Sequence, residues 1–488
     1  MSKNNTQQIE EQIFSKFKPY SDSVNHLDDK TIYMTCCDDN DYLIIIGGDL
    51  GFEGEDISVN GLNCKKAPLS HHNACNLRKL FPFTAPKPVL SHKRTIGLGD
   101  RLGIACPGHI KAIQEYDVYP VFAQQSIREL NLTNRNYEDV LDSVTFSVFR
   151  EGFRRGFGAD GDHLKTCEEV EYALKCGYTM ITLDCSEYIR NIDAMTDAQI
   201  NSEYSDFGCS DLENVYKDKS FDIGDGTTLY FDDIEFKKTV LIYGKAIEFI
   251  YKIYNKYIKN SNVDFEVSID ETSTPTTPLQ HFFVANELIR NGVEFKTLAP
   301  RFCGEFQKGV DYIGDLEQFQ REFEVHAAIA RCFDYKLSIH SGSDKFSVFP
   351  IIGEFTNGHF HVKTAGTNWL EAMKLIAMKD PDFYREVHVY ALKVFDEAKK
   401  YYYVTTDLKQ IPDVYKIEDD ELVKLFEQND ARQLIHITYG LILNEKNSDG
   451  TYRFREKLYR IWNGYKEEYA QLLNQHIGKH LSLLYKNI

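Results

Sequence analysis

Short alternations of apolar and polar residues, typical of β-strands, recur along the middle of the chain. Eight stretches predict strands, at residues 95–98, 121–123, 157–159, 179–183, 265–269, 296–298, 336–339 and 360–362. Between most of them, apolar residues recur at the spacing of an amphipathic helix. Strands that alternate with helices form parallel β/α units, and eight units over roughly 270 residues match the usual size of a (β/α)8 barrel. We therefore predict an α/β fold, a (β/α)8 TIM-type barrel.

The barrel pattern does not extend over the whole chain. We expect an N-terminal extension, the catalytic barrel and a helical C-terminal region, at residues 1–85, 86–375 and 376–488. The extension predicts one helix and two strands, near 31–37 and 42–47. A polar, acidic insertion near 187–235 interrupts the barrel and is either a solvated loop or a lid. Helices near the C-terminus are predicted at 369–379, 382–402, 419–427, 431–443 and 456–485.

The strand at 265–269 separates apolar from polar residues. Its apolar side chains alternate with Glu266 and Ser268. In a barrel, the apolar face of such a strand meets the outer helices, and the polar face points to the axis or the mouth. A carboxylate inside a buried strand is costly unless it is paired or used. Glu266 is therefore predicted either to act as an acid or base, or to form an ion pair with Lys336 low in the barrel.

Polar residues at the ends of the predicted strands are expected at the C-terminal face of the barrel, where chemistry takes place in this fold. Asp162 and His163 follow the third strand, and His340 ends the seventh. Two histidines and a carboxylate with open coordination positions are a common arrangement for a divalent ion that also binds substrate. For Asp160 and Asp162, the alternative is capping of the helix that starts near residue 167.

Further charged groups follow the fifth and sixth strands. Asp270 and Glu271 lie at the rim beyond the fifth strand, and either is an alternative acid or base. Arg301 offers a planar fork that suits a carboxylate. Glu305 is a candidate to complete a metal site, and for both residues the alternative is a surface charge.

The composition argues against several classes of function. The 74 acidic and 56 basic residues give a net charge of −18. That charge opposes binding to nucleic acid, which requires a concentrated basic face. The longest strongly apolar run, residues 42–46, is far too short for a membrane span. The eleven cysteines include no CxxC pair, so reduced thiols in a cytoplasmic protein are the simplest interpretation. A small-molecule substrate is the expected partner, and a homo-oligomer is compatible with the sequence.

Six stretches of the predicted barrel resemble one family, the tagaturonate epimerases, which interconvert D-tagaturonate and D-fructuronate in hexuronate (galacturonate) catabolism. They are RTIGLGDRLG (94–103), GADGDHLK (158–165), VSIDETSTPTTP (267–278), APRFCGEFQKGVDYIG (299–314), KLSIHSGSDKFSVFP (336–350) and KTAGTNWLE (363–371). Together they cover the whole predicted barrel. The resemblance implies an isomerase, a divalent-metal-dependent epimerase that acts on a keto-hexuronate. It leaves the metal open among Zn, Mn, Ni, Co and Fe.

The resemblance also implies roles for individual residues. Asp162 is the expected proton acceptor, and the expected proton donor is either Glu266 or Glu271. The expected metal ligands are His163, Glu305 and His340. The residues expected to hold the substrate are Asp270, Arg301, Lys345 and Lys363.

The chemistry of these sugar acids constrains the mechanism. They differ at a hydroxyl-bearing carbon two positions from the ketone, and the ketone does not acidify the C–H bond of that carbon. We therefore hypothesise retro-aldol cleavage to an aldehyde and an enediolate, rotation of the aldehyde, and re-addition on its other face. The alternatives are a metal-dependent isomerase or aldolase of a related sugar acid, or a non-catalytic sugar-acid binding protein.

Overall fold

A five-stranded antiparallel sheet and two helices form the N-terminal part of the structure. The structure is a computed structural model that describes residues 3–207 and 210–488. Helices α1 and α2 span Lys3–Lys16 and His71–Leu80. Strands β1 to β5 span Asn25–Leu27, Lys30–Cys37, Asn40–Ile46, Glu55–Val59 and Leu62–Ala67, and pair in the order β1-β2-β3-β5-β4. The two strands predicted near 31–37 and 42–47 are therefore confirmed as β2 and β3.

Eight parallel strands form a closed barrel. Strands β6 to β15 span Arg94–Leu98, Tyr119–Ser126, Gly158–Leu164, Met180–Asp184, Lys219–Asp222, Thr228–Phe231, Asp264–Ile269, Thr297–Pro300, Lys336–Ile339 and Phe360–Thr364. All of them except β10 and β11 belong to the barrel, which closes in the order β12-β13-β14-β15-β6-β7-β8-β9. Each of the eight predicted strands overlaps one barrel strand, and the predicted (β/α)8 fold is confirmed.

Helices surround this barrel and pack against the outer face of its strands. Helices α3 to α13 span Cys106–Ile113, Ile127–Thr133, Tyr137–Arg150, Cys167–Lys175, Asp197–Phe207, Ser210–Tyr216, Asp233–Ile253, Pro278–Arg290, Leu316–Cys332, Phe349–Phe355 and Thr367–Lys379. Helix α6 begins with a capping box in which Thr166 and Glu169 satisfy each other's backbone N–H groups. Neither Asp160 nor Asp162 caps this helix, so both carboxylates serve other contacts.

Strand β12 shows how the sequence divides the barrel into an apolar outside and a polar inside. Phe265 and Val267 are buried in the apolar cluster between strands and helices. Glu266 and Ser268 alternate with them and are fully buried on the inner side. The predicted alternation of this strand is confirmed, and it places a carboxylate inside the barrel.

The N-terminal sheet is covered on both faces. Ile32 and Ile45 pack with Phe149 of α5, whereas Tyr33 and Ile44 pack on the α1 side. Successive residues of a strand point to opposite faces, so strands that are apolar at nearly every position are buried on both sides. The sheet therefore lies between α1 and the barrel helix α5.

The C-terminal region is helical but more divided than predicted. Helices α14 to α18 span Pro381–Ala398, Asn429–Ile437, Tyr439–Asn444, Arg455–Gly464 and Lys466–Leu484. The helix predicted at 419–427 is a 3-10 helix, Asp419–Phe426. The helices predicted at 431–443 and 456–485 are each divided in two, at Thr438 and at Tyr465, and the backbone leaves helical geometry at Tyr465. Periodicity alone does not reveal such breaks, because both halves keep an apolar face.

The acidic insertion is folded and packs outside the barrel. It contains α7, α8 and the antiparallel hairpin of β10 and β11. Phe221 and Phe231 of the hairpin contact Phe282 of α10, and Tyr216 contacts Phe283. This packing holds the hairpin on the side of the barrel and does not support the lid interpretation.

Two further features of the described residues are the character of the helices and the state of the cysteines. Within residues 3–207 and 210–488, no helix combines the length and the apolar character that a bilayer crossing requires. The cysteines within these ranges are free thiols.

Candidate active site at the barrel mouth

A cavity of about 310 Å³ opens at the carboxyl ends of the barrel strands, and we call it the mouth cavity. Its wall combines residues at the ends of β7, β8, β12, β14 and β15 with Tyr401, Tyr402 and Tyr403 from the C-terminal region. None of the described residues of the acidic insertion lines it. This face carries the catalytic groups in barrels of this type, and the volume lies within the roughly 300–1,000 Å³ of small-molecule sites.

A β-bulge in β8 brings two consecutive side chains, Asp162 and His163, to the mouth cavity. The register against β9 shifts between Gly161 and Leu164, and His163 has a φ of 56°. In a regular strand consecutive side chains point to opposite faces, whereas a bulge re-aims a side chain. Here both side chains line the cavity, and Nδ1 of His163 lies 2.9 Å from Oδ1 of Asp162.

His163, Asp270 and His340 form a group of potential metal ligands on the cavity wall. One donor atom from each lies within 4.8 Å of the others. Oδ1 of Asp270 is 3.0 Å from Nδ1 of His340 and 4.0 Å from Nε2 of His163. Glu305 is not part of this group, because its carboxylate lies beside Arg301 at 3.6 Å. The third donor of this group therefore comes from Asp270, which was predicted to bind substrate, and the role of Glu305 as a metal ligand stays a prediction.

An ion network centred on Lys363 lies beneath this group. Nζ of Lys363 is 2.7 Å from carboxylate oxygens of Asp160, Asp162 and Glu266. Burial opposes the charge of the lysine, but the three carboxylates outweigh burial and hold the pKa of Lys363 well above its ordinary value. An ammonium has three donors, and here they face these carboxylates. The geometry therefore does not support the predicted role of Lys363 in binding a substrate carboxylate.

The floor of the mouth cavity carries excess negative charge, which fits a bound cation. Asp160, Asp162 and Glu266 lie around one buried lysine, Lys363, and a fourth carboxylate, Asp270, lies beside His340. Burial opposes the charging of His163, but Asp162 and further acidic neighbours outweigh burial and raise the pKa of His163 to about 10. The site thus binds protons tightly when no other cation balances its carboxylates. Two imidazoles and a carboxylate, set in such surroundings, match the donor chemistry of a divalent metal ion.

The two alternatives for the proton donor, Glu266 and Glu271, lie in different surroundings. Glu266 is fully buried and its Oε1 lies 2.8 Å from Nε2 of His340. Its expected partner Lys336 instead donates hydrogen bonds to a backbone carbonyl and to Thr95. Glu271 lines the mouth cavity, and its side chain is 38% exposed. Of these two glutamates, Glu271 is therefore the one that faces the mouth cavity.

Arg301 and Lys345 differ in their access to the cavity. Arg301 lines it and donates a hydrogen bond to the carbonyl of Thr272. Lys345 is fully buried, and its Nζ donates to three backbone carbonyls at 2.6 to 3.0 Å. Because an ammonium has three donors, Lys345 has none left for a substrate. The geometry therefore does not support the predicted binding of a carboxylate by Lys345, which instead stabilises its own loop.

A second group of potential ligands, Asp344, His476 and His480, lies behind the loop that follows β14. Its polar atoms are already engaged. Nε2 of His480 accepts the backbone N–H of Asp344 at 3.0 Å, and Nε2 of His476 lies 2.6 Å from Oδ1 of Asp344. Arg432 donates to Oδ2 of Asp344 at 2.8 Å, and its positive charge opposes a metal ion. This group ties α15 and α18 to the loop.

Several cavity residues were not singled out by the strand-end pattern. They are Gln124, Arg128, Glu129 and Lys308. Arg128 and Glu129 lie in the first turn of α4, and Lys308 lies in an irregular segment after β13. A charged residue in such positions is usually solvent-exposed. The sequence feature that could have pointed to Lys308 is its position within residues 299–314, one of the stretches that resemble the tagaturonate epimerases.

Comparison with known proteins identifies the family. The model of the tagaturonate epimerase family matches residues 20–484 of the chain. The chain belongs to the tagaturonate epimerase family. This tagaturonate epimerase family member is an epimerase, an enzyme of the isomerase class. The alternative of a non-catalytic sugar-acid binding protein is therefore wrong.

Relatives of this epimerase cover nearly the whole chain. It is 40% identical over 477 residues to a tagaturonate/fructuronate epimerase of Thermotoga maritima, covering 96% of this chain and 97% of that relative. It is also 47% identical to the fructuronate-tagaturonate epimerase of Cohnella laeviribosi. A crystal structure of that enzyme with one glycerol superposes with a TM-score of 0.94 over 99% of each chain. Its native crystal structure has a TM-score of 0.94 over 98% of each chain.

Proposed function

We propose that this epimerase interconverts D-tagaturonate and D-fructuronate in the cytoplasm, and that it requires a divalent metal ion. The observation that carries the proposal is one cavity wall that combines His163, Asp270 and His340 with Asp162 and Glu271. The substrates named for the Thermotoga maritima and Cohnella laeviribosi relatives support the choice of sugar acids.

The metal would be held by two imidazoles and one carboxylate. His163 and His340 offer ring nitrogens, and Asp270 offers a carboxylate oxygen. A set of three protein ligands leaves coordination positions for substrate oxygens. When bound, such an ion supplies Lewis-acid stabilisation of negative charge on oxygen. Its identity stays open among Zn, Mn, Ni, Co and Fe.

We infer that inversion follows a retro-aldol route. Burial raises the pKa of Asp162, but Lys363 and His163 outweigh burial and hold it well below its ordinary value, so this carboxylate is ionised and able to accept a proton. Asp162 takes the hydroxyl proton at the carbon to be inverted, and the adjacent C–C bond opens to an aldehyde and an enediolate. The aldehyde rotates, the C–C bond re-forms on its other face, and Glu271 protonates the new alkoxide. Proton exchange between the two carboxyl groups then restores the starting state.

Product analysis tests the reaction. The purified chain, incubated with D-tagaturonate in deuterated water, should form D-fructuronate without deuterium at the inverted carbon, because the C–H bond stays intact. A carbonyl-trapping reagent should capture the aldehyde fragment. Deuterium at that carbon, with no trapped aldehyde, would replace the retro-aldol route by direct deprotonation. Absence of fructuronate with every metal tried would reject the proposed function.

Metal removal tests the cofactor. Chelation followed by buffer exchange should abolish turnover, and one or more of the divalent ions, added back singly, should restore it. Full activity of the chelated chain, with metal analysis showing far less than one ion per chain, would contradict the metal requirement.

A further inference from the structure

The mouth cavity contains a cation, Lys308, that has no role in the reaction described above. This residue lies between β13 and α11 and lines the cavity. Its Nζ donates one hydrogen bond, to Oγ of Ser341 at 2.9 Å. Within the part of the chain that the structure describes, no carboxylate forms an ion pair with this ammonium. An ammonium has three donors, so two remain for a ligand.

The other lysine and arginine side chains that line the cavity each lie beside at least one carboxylate. Lys363 contacts three carboxylates, and Arg301 lies 3.6 Å from a carboxylate oxygen of Glu305. The guanidinium of Arg128 lies 5.1 Å from the ring centre of Tyr402 and 3.9 Å from a carboxylate oxygen of Glu271. Among the four lysine and arginine side chains that line the cavity in the described part of the chain, Lys308 is therefore the one with no carboxylate at ion-pair distance.

The surroundings of Lys308 also suit an anion. Gly366 lines the cavity and directly precedes helix α13, so the positive end of this 13-residue helix is near the cavity wall. Ser341 and Ser343 add hydroxyl groups to the same wall. Ser341 directly follows His340, one of the potential metal ligands. A helix N-terminus and two hydroxyl groups thus lie on the same cavity wall as Lys308 and the metal-ligand group.

We propose that Lys308 binds the carboxylate of the substrate and thereby selects a sugar acid over a neutral sugar. This inference rests on the proposed function, which supplies the acidic substrate. A keto-hexuronate carries its carboxylate and its ketone on one six-carbon chain, so one molecule can engage Lys308 with its acid end while its hydroxyl and ketone oxygens face the metal-ligand group. The lysine is a substrate-binding residue and takes no part in the proton transfers.

Two unreactive probes test this site by binding alone. D-Galactonate and galactitol share one carbon skeleton, only galactonate carries a carboxylate, and neither has the ketone needed for turnover. Calorimetric titration of the metal-loaded full chain should show galactonate binding roughly 10- to 100-fold more tightly, the value of a hydrogen bond to a charged group. Lys308→Met should remove this preference without changing the affinity for galactitol, and Lys308→Arg should keep part of it.

Further variants make the binding result decisive. Lys296→Met removes an exposed charge at the other end of β13 and should keep the full preference for galactonate. Arg301→Met removes the competing cation and should also keep it. Lys308→Gln should repeat the loss if Lys308→Met does not fold. Retention of the preference in the folded Lys308 variants, or its loss in Arg301→Met alone, would overturn the proposal.

Turnover separates this inference from the proposed function. In Lys308→Met the KM for tagaturonate should rise roughly 10- to 100-fold, whereas kcat should change by less than about threefold, as expected for lost uniform binding. A fall in kcat at constant KM would overturn the assignment. A wild-type chain that prefers galactonate through Lys308 but does not epimerise tagaturonate would support the carboxylate site and contradict the proposed function.

Discussion

Nδ1 of His163 lies 2.9 Å from Oδ1 of Asp162, its immediate neighbour in the chain. Such a contact within one cavity wall requires the bulge of β8 and the left-handed φ of His163, because neighbours in a regular strand face opposite ways. The bulge therefore couples the candidate proton acceptor to a candidate metal ligand. A change in the charge of one side chain therefore changes the electrostatic potential at the other.

The identity of the third metal ligand leads to the first prediction. Asp270→Asn should lower the affinity for the divalent ion by at least about tenfold, because even residues that only support metal ligands affect affinity to that extent. Glu305→Gln should bind the ion like the wild type, because Glu305 contacts Arg301 and not the histidines. Metal titration of chelated protein measures both variants. The reverse order of effects would return the third position to Glu305.

The second prediction separates the two glutamates. Glu271→Gln should lower kcat by about 10²- to 10⁴-fold, the range of general acid–base catalysis, and leave the free energy of unfolding unchanged. Glu266→Gln should lower the free energy of unfolding by about 3–5 kcal/mol, because it removes one member of a buried ion network. Steady-state kinetics and urea unfolding give the two quantities. Normal kcat in Glu271→Gln would exclude it as the proton donor.

The third prediction concerns the contacts of Asp344 with α15 and α18. Asp344→Asn removes the charge that pairs with Arg432 and His476 and should raise the KM for tagaturonate, because the loop that bears Ser341 loses its support. Hydrogen exchange of residues 341–345 should become faster. Asp334→Asn, an exposed position just before β14, is the matched control and should match the wild type. Unchanged exchange in Asp344→Asn would show that the loop holds without this contact.

The fourth prediction is a loss of stability in acid. Burial lowers the pKa of His388 to about 4, below the value of about 6.5 expected in the unfolded chain. Between these values the unfolded chain binds one more proton at His388, so His388 contributes a decrease in the free energy of unfolding of about 1.4 kcal/mol for each unit by which the pH falls. His388→Gln should reduce this slope between pH 6.5 and 4, measured by urea unfolding. His72→Gln, at an exposed position, should keep the wild-type slope, and an equal slope in His388→Gln would contradict the assignment.

The sequence alone was sufficient to predict the barrel strands and several of the strand-end residues that face the mouth cavity. The period of two along strands such as β12 is a local property, and it separates the side that meets helices from the side that faces the axis. Asp162, His163 and His340 follow from their positions at strand ends, which a barrel brings to one face. The division of the chain at residues 85 and 375 stays a prediction.

Tertiary structure alone decided which of these side chains meet and which are already occupied. Asp270 joins His340 across 70 residues, and Lys363 joins Asp162 across 201 residues. Distances between segments so far apart depend on the packing of the whole barrel, and local sequence pattern carries no measure of them. The same holds for the saturation of Lys345 by backbone carbonyls. The sequence thus determined the fold and the kinds of chemical groups at its mouth, and the packed barrel determined their partners.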